Sequence, residues 1–402
     1  MPSTRLRIGL ALAACAALVV ACSSSEQSGG GSNGQSPPKM EPLSALGNGE
    51  GQLNLIAWAG YAENGSNDKS VDWVTPFEQQ TGCKVNVKLG NTSDEMVQLM
   101  RSGQYDGVSA SGDATLRLIY AGDVAPVNTD LVPNYATISS FLKDKSWNSV
   151  NGQMYGIPHG WGANLLMYNI DVVRDAPNSW GAVFDDSGKY KGKVTAYDSP
   201  IYIADAALYL SKTKPDLGIK DPYSLTPEQL DAAVELLKKQ RENVSEYWSD
   251  YTKEVQAFES GTSVIGTTWQ VIANTIGTDN KVQVNTVLPK EGATGWSDTW
   301  MLSAKAAHPN CMYKWMNHMA SAEANGQATV WFGEAPTSQQ ACDYAETISP
   351  GHCEVTHATD EAYYDKISYW STPQASCADE DSATTCKTQD DWVAAWTELR
   401  GS

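Results

Sequence analysis

Between Glu291 and Asn310 the chain reads EGATGWSDTWMLSAKAAHPN, which places Asp298 between Trp296 and Trp300 just after a turn-forming GATG. A carboxylate flanked by π-faces can hold an organic cation, by charge pairing and by attraction to the ring quadrupoles. The same spacing also suits a strand whose rings fill a core while the acid points to water. Reactive chemistry is harder to find. The sequence contains no G-x-S-x-G elbow, no H-E-x-x-H and no P-loop. Of the five histidines, His352 and His357 fall near Cys353 in GHCEVTH, but a cysteine held in a disulfide is not a thiolate ligand. Carboxylate pairs of the glycosidase type leave no sequence signature, because the partners can lie far apart along the chain. The balance favours a binder over a catalyst, with no metal and no cofactor expected.

The elements that would position these residues follow a strand–helix alternation. LNLIAWAGY, Leu53 to Tyr61, predicts a buried strand running into a loop, and DWVTPFEQQTG predicts a short helix stopped by Gly82. CKVNVKL then alternates Cys83, Val85, Val87 and Leu89, the period of a strand with one buried face. Strand, helix and strand in succession make a βαβ unit with parallel strands and a right-handed crossover. Thr92 and Glu95 fit a capping box, YDGVSASGD predicts a strand ending in a small-residue loop, and ATLRLIYAG predicts the next helix. In open α/β sheets such loops, at the carboxyl ends of strands, are where ligands bind.

Further on, SLTPEQLDAAVELLKKQ carries Thr226 as N-cap, Pro227 in the first turn and Gln229 completing a box, with Leu230, Val234 and Leu237 on one face. AFESGTSVIGTTW predicts a helix end, a glycine turn and a strand ending at Trp269. Met312, Trp315, Met316 and Met319 share one side of a predicted helix and read as core filling rather than as a copper site. DDWVAAWTELRGS closes the chain as a short amphipathic helix.

With 402 residues, 41% of them hydrophobic, the chain has the material for two globular domains. The first residues combine Arg5 and Arg7 with an apolar run from Ile8 to Ala21 that is too short for a permanent anchor, which predicts a secretory signal over 1–21. LVVAC resembles a bacterial lipobox, so Cys22 is expected to be lipidated and to fix the protein to the outer face of the cell membrane. The Ser/Gly/Pro-rich stretch 22–51 reads as a flexible tether. Of 28 basic and 47 acidic residues the leader removes two arginines, leaving a net charge of −21 that repels nucleic acid. Six cysteines remain in an exported chain, which suggests disulfides. Fifteen connectivities are open to six cysteines. Sequence proximity favours Cys342 with Cys353 and Cys377 with Cys386, leaving Cys83 for Cys311.

In that order, LNLIAWAGY with FEQQTG, YDGVSAS, YGIPHGWGANLLMYN, FESGTSVIGTTW and VLPKEGATGWSDTWMLSAKAAHPN resemble the substrate-binding proteins of ATP-binding-cassette importers, nearest to the spermidine/putrescine-binding branch. The resemblance implies an α/β fold of the two-lobed periplasmic-binding-protein kind, with a hinge and a ligand cleft between lobes. The lobes would comprise 52–157 plus 296–345 and 158–295 plus 346–402. In that family an aromatic box holds the carbon chain of a polyamine and acids hold its ammonium ends. Matched motif by motif, WAGY supplies Trp58 and Tyr61, GTTW supplies Trp269, and GWSD supplies Trp296 and Asp298. Trp300, further along the same strand, is expected in the core.

The chain also departs from that pattern. Where an acidic cluster would meet a second amine it reads TAYDSPIYIAD, offering Asp198 and then Tyr202, and SASGD supplies Ser111 and Asp113 but no tyrosine. An unpaired buried ammonium costs several kcal/mol, so a compact cation or zwitterion is an alternative to a long diamine. His159 and Trp161, in IPHGWG, fall near the expected crossing and are candidates for the cleft wall or for hinge packing. The expectation is a monomeric, lipid-anchored binding protein that captures a small cationic amine and presents it to a membrane permease. A sugar or amino-acid binder of the same fold, or a secreted hydrolase using carboxylates, are the competing readings.

Overall fold

The computed structural model describes residues 36–185, 187–278, 282–377 and 385–401. The expected signal peptide and Cys22 lie outside them, as does most of the expected tether. Fourteen strands are ordered along the described chain as β1 (Gln52–Ala57), β2 (Lys84–Leu89), β3 (Gly107–Ala110), β4 (Val124–Ala125), β5 (Ser149–Val150), β6 (Gln153–Met154), β7 (Gly156–Ala163), β8 (Leu165–Asn169), β9 (Val194–Tyr197), β10 (Val244–Trp248), β11 (Ile265–Thr268), β12 (Val284–Val287), β13 (Ala293–Ser303) and β14 (Ile367–Tyr369).

They form two mixed sheets and a small β5–β6 hairpin. The first sheet runs β14-β13-β3-β1-β2, with β4 and β7 also pairing with β13. The second runs β10-β9-β11-β8-β12. β1 is parallel to β2 and to β3, and β9 is parallel to β10 and to β11, so each sheet has a parallel centre joined by helical crossovers. The helix Val74–Thr81, between β1 and β2, ends as expected at Gly82, whose φ of 73° lets its N–H turn back to the carbonyl of Glu78.

The expected burial of β2 needs correcting. Val87 and Leu89 are 39% and 48% exposed because β2 is the edge strand of its sheet. Thr92 caps the helix Ser93–Arg101 through the Glu95 N–H, but the Glu95 carboxylate turns to the Asn91 N–H, so only half of the box forms. At Thr226 both halves form, with Pro227 opening the helix Pro227–Arg241.

Hydrogen bonding sets the lobe boundaries differently from the expectation. β7 belongs to the first sheet, so the chain crosses to the second at Asn164 rather than between 157 and 158. It returns between β12 and β13, and β14 also joins the first sheet, so 346–369 does not go with the second lobe. A third crossing leads from β14 to the terminal helix Gln389–Gly401, which packs on Pro227–Arg241. Three disulfides follow the pairing that proximity favours: Cys83–Cys311, Cys342–Cys353 and Cys377–Cys386. The first ties β2 to the helix Pro309–Met319, whose Met312, Trp315, Met316 and Met319 are core residues. Among the described residues no helix is long and apolar enough to cross a membrane.

Candidate functional site

The carboxyl ends of parallel strands from both sheets meet at one cavity, as the geometry of open α/β sheets favours. Trp58 and Tyr61 follow β1, Ser111 follows β3, Trp269 follows β11 and Trp370 follows β14. Trp296 and Asp298 come from the middle of β13, and Phe332 from the end of the helix Ala322–Phe332. Four indoles wall about 220 Å³ of open space, below the usual range for drug-sized ligands. Their rings form a chain: Trp58 to Trp269 at 6.1 Å, Trp269 to Trp296 at 5.8 Å, and Trp296 to Trp370 at 6.4 Å. Asp298 is the one ionisable carboxylate among the described residues lining this space.

Asp298 is 1% exposed, and its carboxylate is held at both oxygens. Ser111 donates its hydroxyl to Oδ1 at 2.5 Å and Tyr61 donates to Oδ2 at 2.9 Å. Burial pushes this carboxyl up to about 6, and the Ser111 and Tyr61 hydrogen bonds oppose that rise. A charge held that way is an anion waiting for a cation.

Glu334 was not singled out by sequence. It stands behind Tyr61, 1% exposed, and its Oε2 is 3.0 Å from the same Tyr61 hydroxyl and 3.3 Å from the Trp296 Nε1. Its Oε1 lies 3.5 Å from His159 Nε2. The Trp300 indole donates to His159 Nδ1 at 3.1 Å. Burial raises Glu334 well above the carboxylate range, with Asp298 adding to the rise, and lowers His159 to about 3. Two glycines admit this cluster. A Cβ at Gly160 would sit 2.4 Å from the Glu334 carboxyl carbon, and one at Gly162 would sit 2.4 Å from the Trp296 ring. Pairing between β7 and β13 steps from Asp298↔Gly160 to Thr299↔Pro158, leaving His159 without an opposite residue, an irregularity that re-aims its side chain.

Of the residues expected at the site, the fold brings together Trp58, Tyr61, Ser111, Trp269, Trp296 and Asp298. His159 sits one layer behind, its ring 4.2 Å from that of Tyr61. Trp161 is fully buried against Phe141, Tyr364 and Tyr369 and borders a second cavity on the far side of Trp296. Three residues lie elsewhere. Asp198 accepts from Trp396 Nε1 at 3.2 Å and from Arg400 Nε at 3.0 Å, because the terminal helix docks over it. Asp113 sits at the start of the helix Gly112–Ala121 and accepts from Ser93 at 2.8 Å, with burial raising its carboxyl to about 7. Tyr202 is buried in the second lobe, where its hydroxyl accepts from Gln240. Trp300 is core, 5.4 Å from Trp315.

Phe332, Glu334 and Trp370 are the additions. WFGEAP did carry a signal, an acid among apolar residues after a glycine turn, and Gly333 has a φ of 80°. Behind the cavity, Asn164 joins the crossings. Its side chain accepts from Trp269 Nε1 at 3.0 Å and donates to Thr294 Oγ1 at 2.6 Å, and Thr294 donates to Asp205 at 3.0 Å. Among the described residues no three His, Cys, Asp or Glu side chains gather as a metal site. His352 instead meets the Glu334 carbonyl, and Cys353 is in its disulfide.

Residues 72–352 match the family model described as bacterial extracellular solute-binding protein. The putrescine-binding periplasmic protein SpuD of Pseudomonas aeruginosa is 27% identical over 293 residues, covering 69% of this chain and 76% of that protein. The spermidine/putrescine-binding periplasmic protein 1 of Haemophilus influenzae is 25% identical over 305 residues, covering 75% and 79%. A solved structure described as a putative spermidine/putrescine ABC transporter from Listeria monocytogenes superposes with a TM-score of 0.70 at 18% identity, covering 87% of this chain and 99% of that one.

Proposed function

Since the chain belongs to the bacterial extracellular solute-binding proteins, we propose that its tryptophan-walled cavity captures a cationic amine and that the loaded protein delivers it to the permease of an ATP-binding-cassette importer. It is a binding protein rather than an enzyme. The observation that carries the ligand class is Asp298, a buried anion with no cationic side chain paired to it, facing a cavity walled by four indoles. An ammonium placed there would pair with the carboxylate, and its carbon substituents would pack on the rings.

Asp198 and Asp113 already have partners outside the cavity, which favours a ligand that presents a single ammonium here. Trp269 comes from the second sheet while Trp296 and Asp298 come from the first, so a ligand touching all three would favour the closed arrangement of the sheets. Cys22, in its lipobox-like context, would carry the lipid that keeps the monomer near its permease. A thermal-shift screen of amines, quaternary ammonium compounds, amino acids and sugars tests this. A ligand at 100 times its Kd stabilises by about 2.7 kcal/mol. Shifts confined to amines and ammonium compounds are expected, and shifts confined to sugars would overturn the reading.

A further inference from the structure

Tyr61 Oη lies within hydrogen-bonding distance of both Asp298 Oδ2 and Glu334 Oε2, yet a phenol has one proton to give. If both acids were ionised, one of the two oxygen–oxygen contacts would hold no hydrogen and would set a buried anion against a lone pair. The remaining neighbours decide where the missing proton resides. An indole can only donate, so the contact from Trp300 Nε1 makes His159 Nδ1 an acceptor. His159 is therefore neutral with its hydrogen on Nε2, which faces Glu334 Oε1. No positive charge then balances Glu334. Among the described residues no lysine or arginine pairs with it, and the remaining groups around it are Trp296 Nε1 and, at its carbonyl, His352.

We infer that Glu334 is a neutral carboxylic acid that donates to Tyr61 and turns the Tyr61 hydroxyl toward Asp298, so that the cavity presents one negative charge and accepts one ammonium. Trp300, His159, Glu334, Tyr61 and Asp298 then form a chain of donors running in one direction, with each group's hydrogen facing the next. The Glu334 hydroxyl oxygen keeps a lone pair for Trp296 Nε1, fixing that ring against the cavity as well. The direction in which burial moves both Glu334 and His159 agrees with this assignment. Glu334 is a positioning and specificity-determining residue, since an ionised acid here would add a second charge and admit a second ammonium.

The inference deepens the proposed amine site and rests on it for its ligand consequence, but its protonation claim is testable without ligand. Infrared difference spectra of the native protein minus Glu334→Gln, taken at neutral pH, should contain the carbonyl stretch of a protonated carboxyl. Absence of that band overturns the inference. Tyr61→Phe removes the acceptor of the Glu334 proton, so the band should persist at a shifted frequency, whereas an unchanged frequency also counts against it. Titrations with putrescine and with butylamine complete the test. Glu334→Gln should change either affinity by less than about threefold, whereas a loss of tenfold or more for both would show that an ionic charge had been removed. If neither amine binds the native protein, the ligand reading fails while the two spectra still decide the state of Glu334.

Discussion

Asp298→Asn should make the empty protein more stable and its cavity nearly useless for amines. The substitution keeps the shape of the group and one of its oxygens. Ser111 and Tyr61 hold different oxygens of the native carboxylate, so one hydroxyl continues to donate and the other can accept from the new amide. What the variant loses is the charge. Burial raises this carboxyl from 3.8 to about 6, which corresponds to about 3 kcal/mol of strain on the ionised form at neutral pH. Removing that burden should stabilise the ligand-free protein by up to about that amount, read as a higher midpoint in urea at unchanged slope. Removing one partner of a buried ion pair costs about 3–5 kcal/mol, so amine affinity should fall by roughly two to three and a half orders of magnitude in calorimetric titration. The paired signature matters more than either half. Amine affinity within threefold of native, or an apo protein less stable than native, would refute the assignment of Asp298 as the ammonium's counter-charge.

Three other outcomes follow from described contacts. Asp198→Ala should leave amine affinity within about twofold of native and cost less than about 1 kcal/mol of stability, because it breaks a partly exposed pair with Arg400 that is remote from the cavity. The ligand-free protein should become more stable as pH falls from 8 to 5: Asp298, Asp113 and Asp205 are raised by burial to about 6, 7 and 7, and such groups contribute stability below their unfolded values that is lost as pH rises through the folded ones. Amine affinity should move the other way, weakening below about pH 6 as Asp298 of the free protein takes up a proton. Replacing Cys83 and Cys311 together by serine should lower stability by about 3–5 kcal/mol in urea titration, since this link spans 228 residues of chain and the other two span 11 and 9.

The elements and half of the site were legible because they rest on local rules. Glycine stops, an N-cap and its box, and the alternation of strand and helix need only neighbours in sequence, and they located β1, β3, β11 and the helices between them. WAGY, GTTW and GWSD were legible for a related reason: each cavity residue directly follows or sits within a recognisable strand. Asp198 failed as a cavity residue through a contact 202 residues away, since nothing in TAYDSPIYIAD announces that Arg400 will fold over it. Glu334 was missed because its meaning lies in what surrounds it: a hydroxyl from β1, an imidazole from β7 and an indole from β13. β2 misled by its alternation, which specifies a two-faced strand but cannot tell whether anything will cover the apolar face.

Asn164 has a mechanical role that its modest size hides. Its side chain pins the outgoing crossing to the returning one through Thr294 and, with its other atom, holds the indole of Trp269. The pivot and the roof of the cavity therefore share one amide. Any rotation that separates the sheets must strain this joint and loosen the roof in the same movement, so unloading needs no separate latch: the torque that opens the protein also lets go of what it carries.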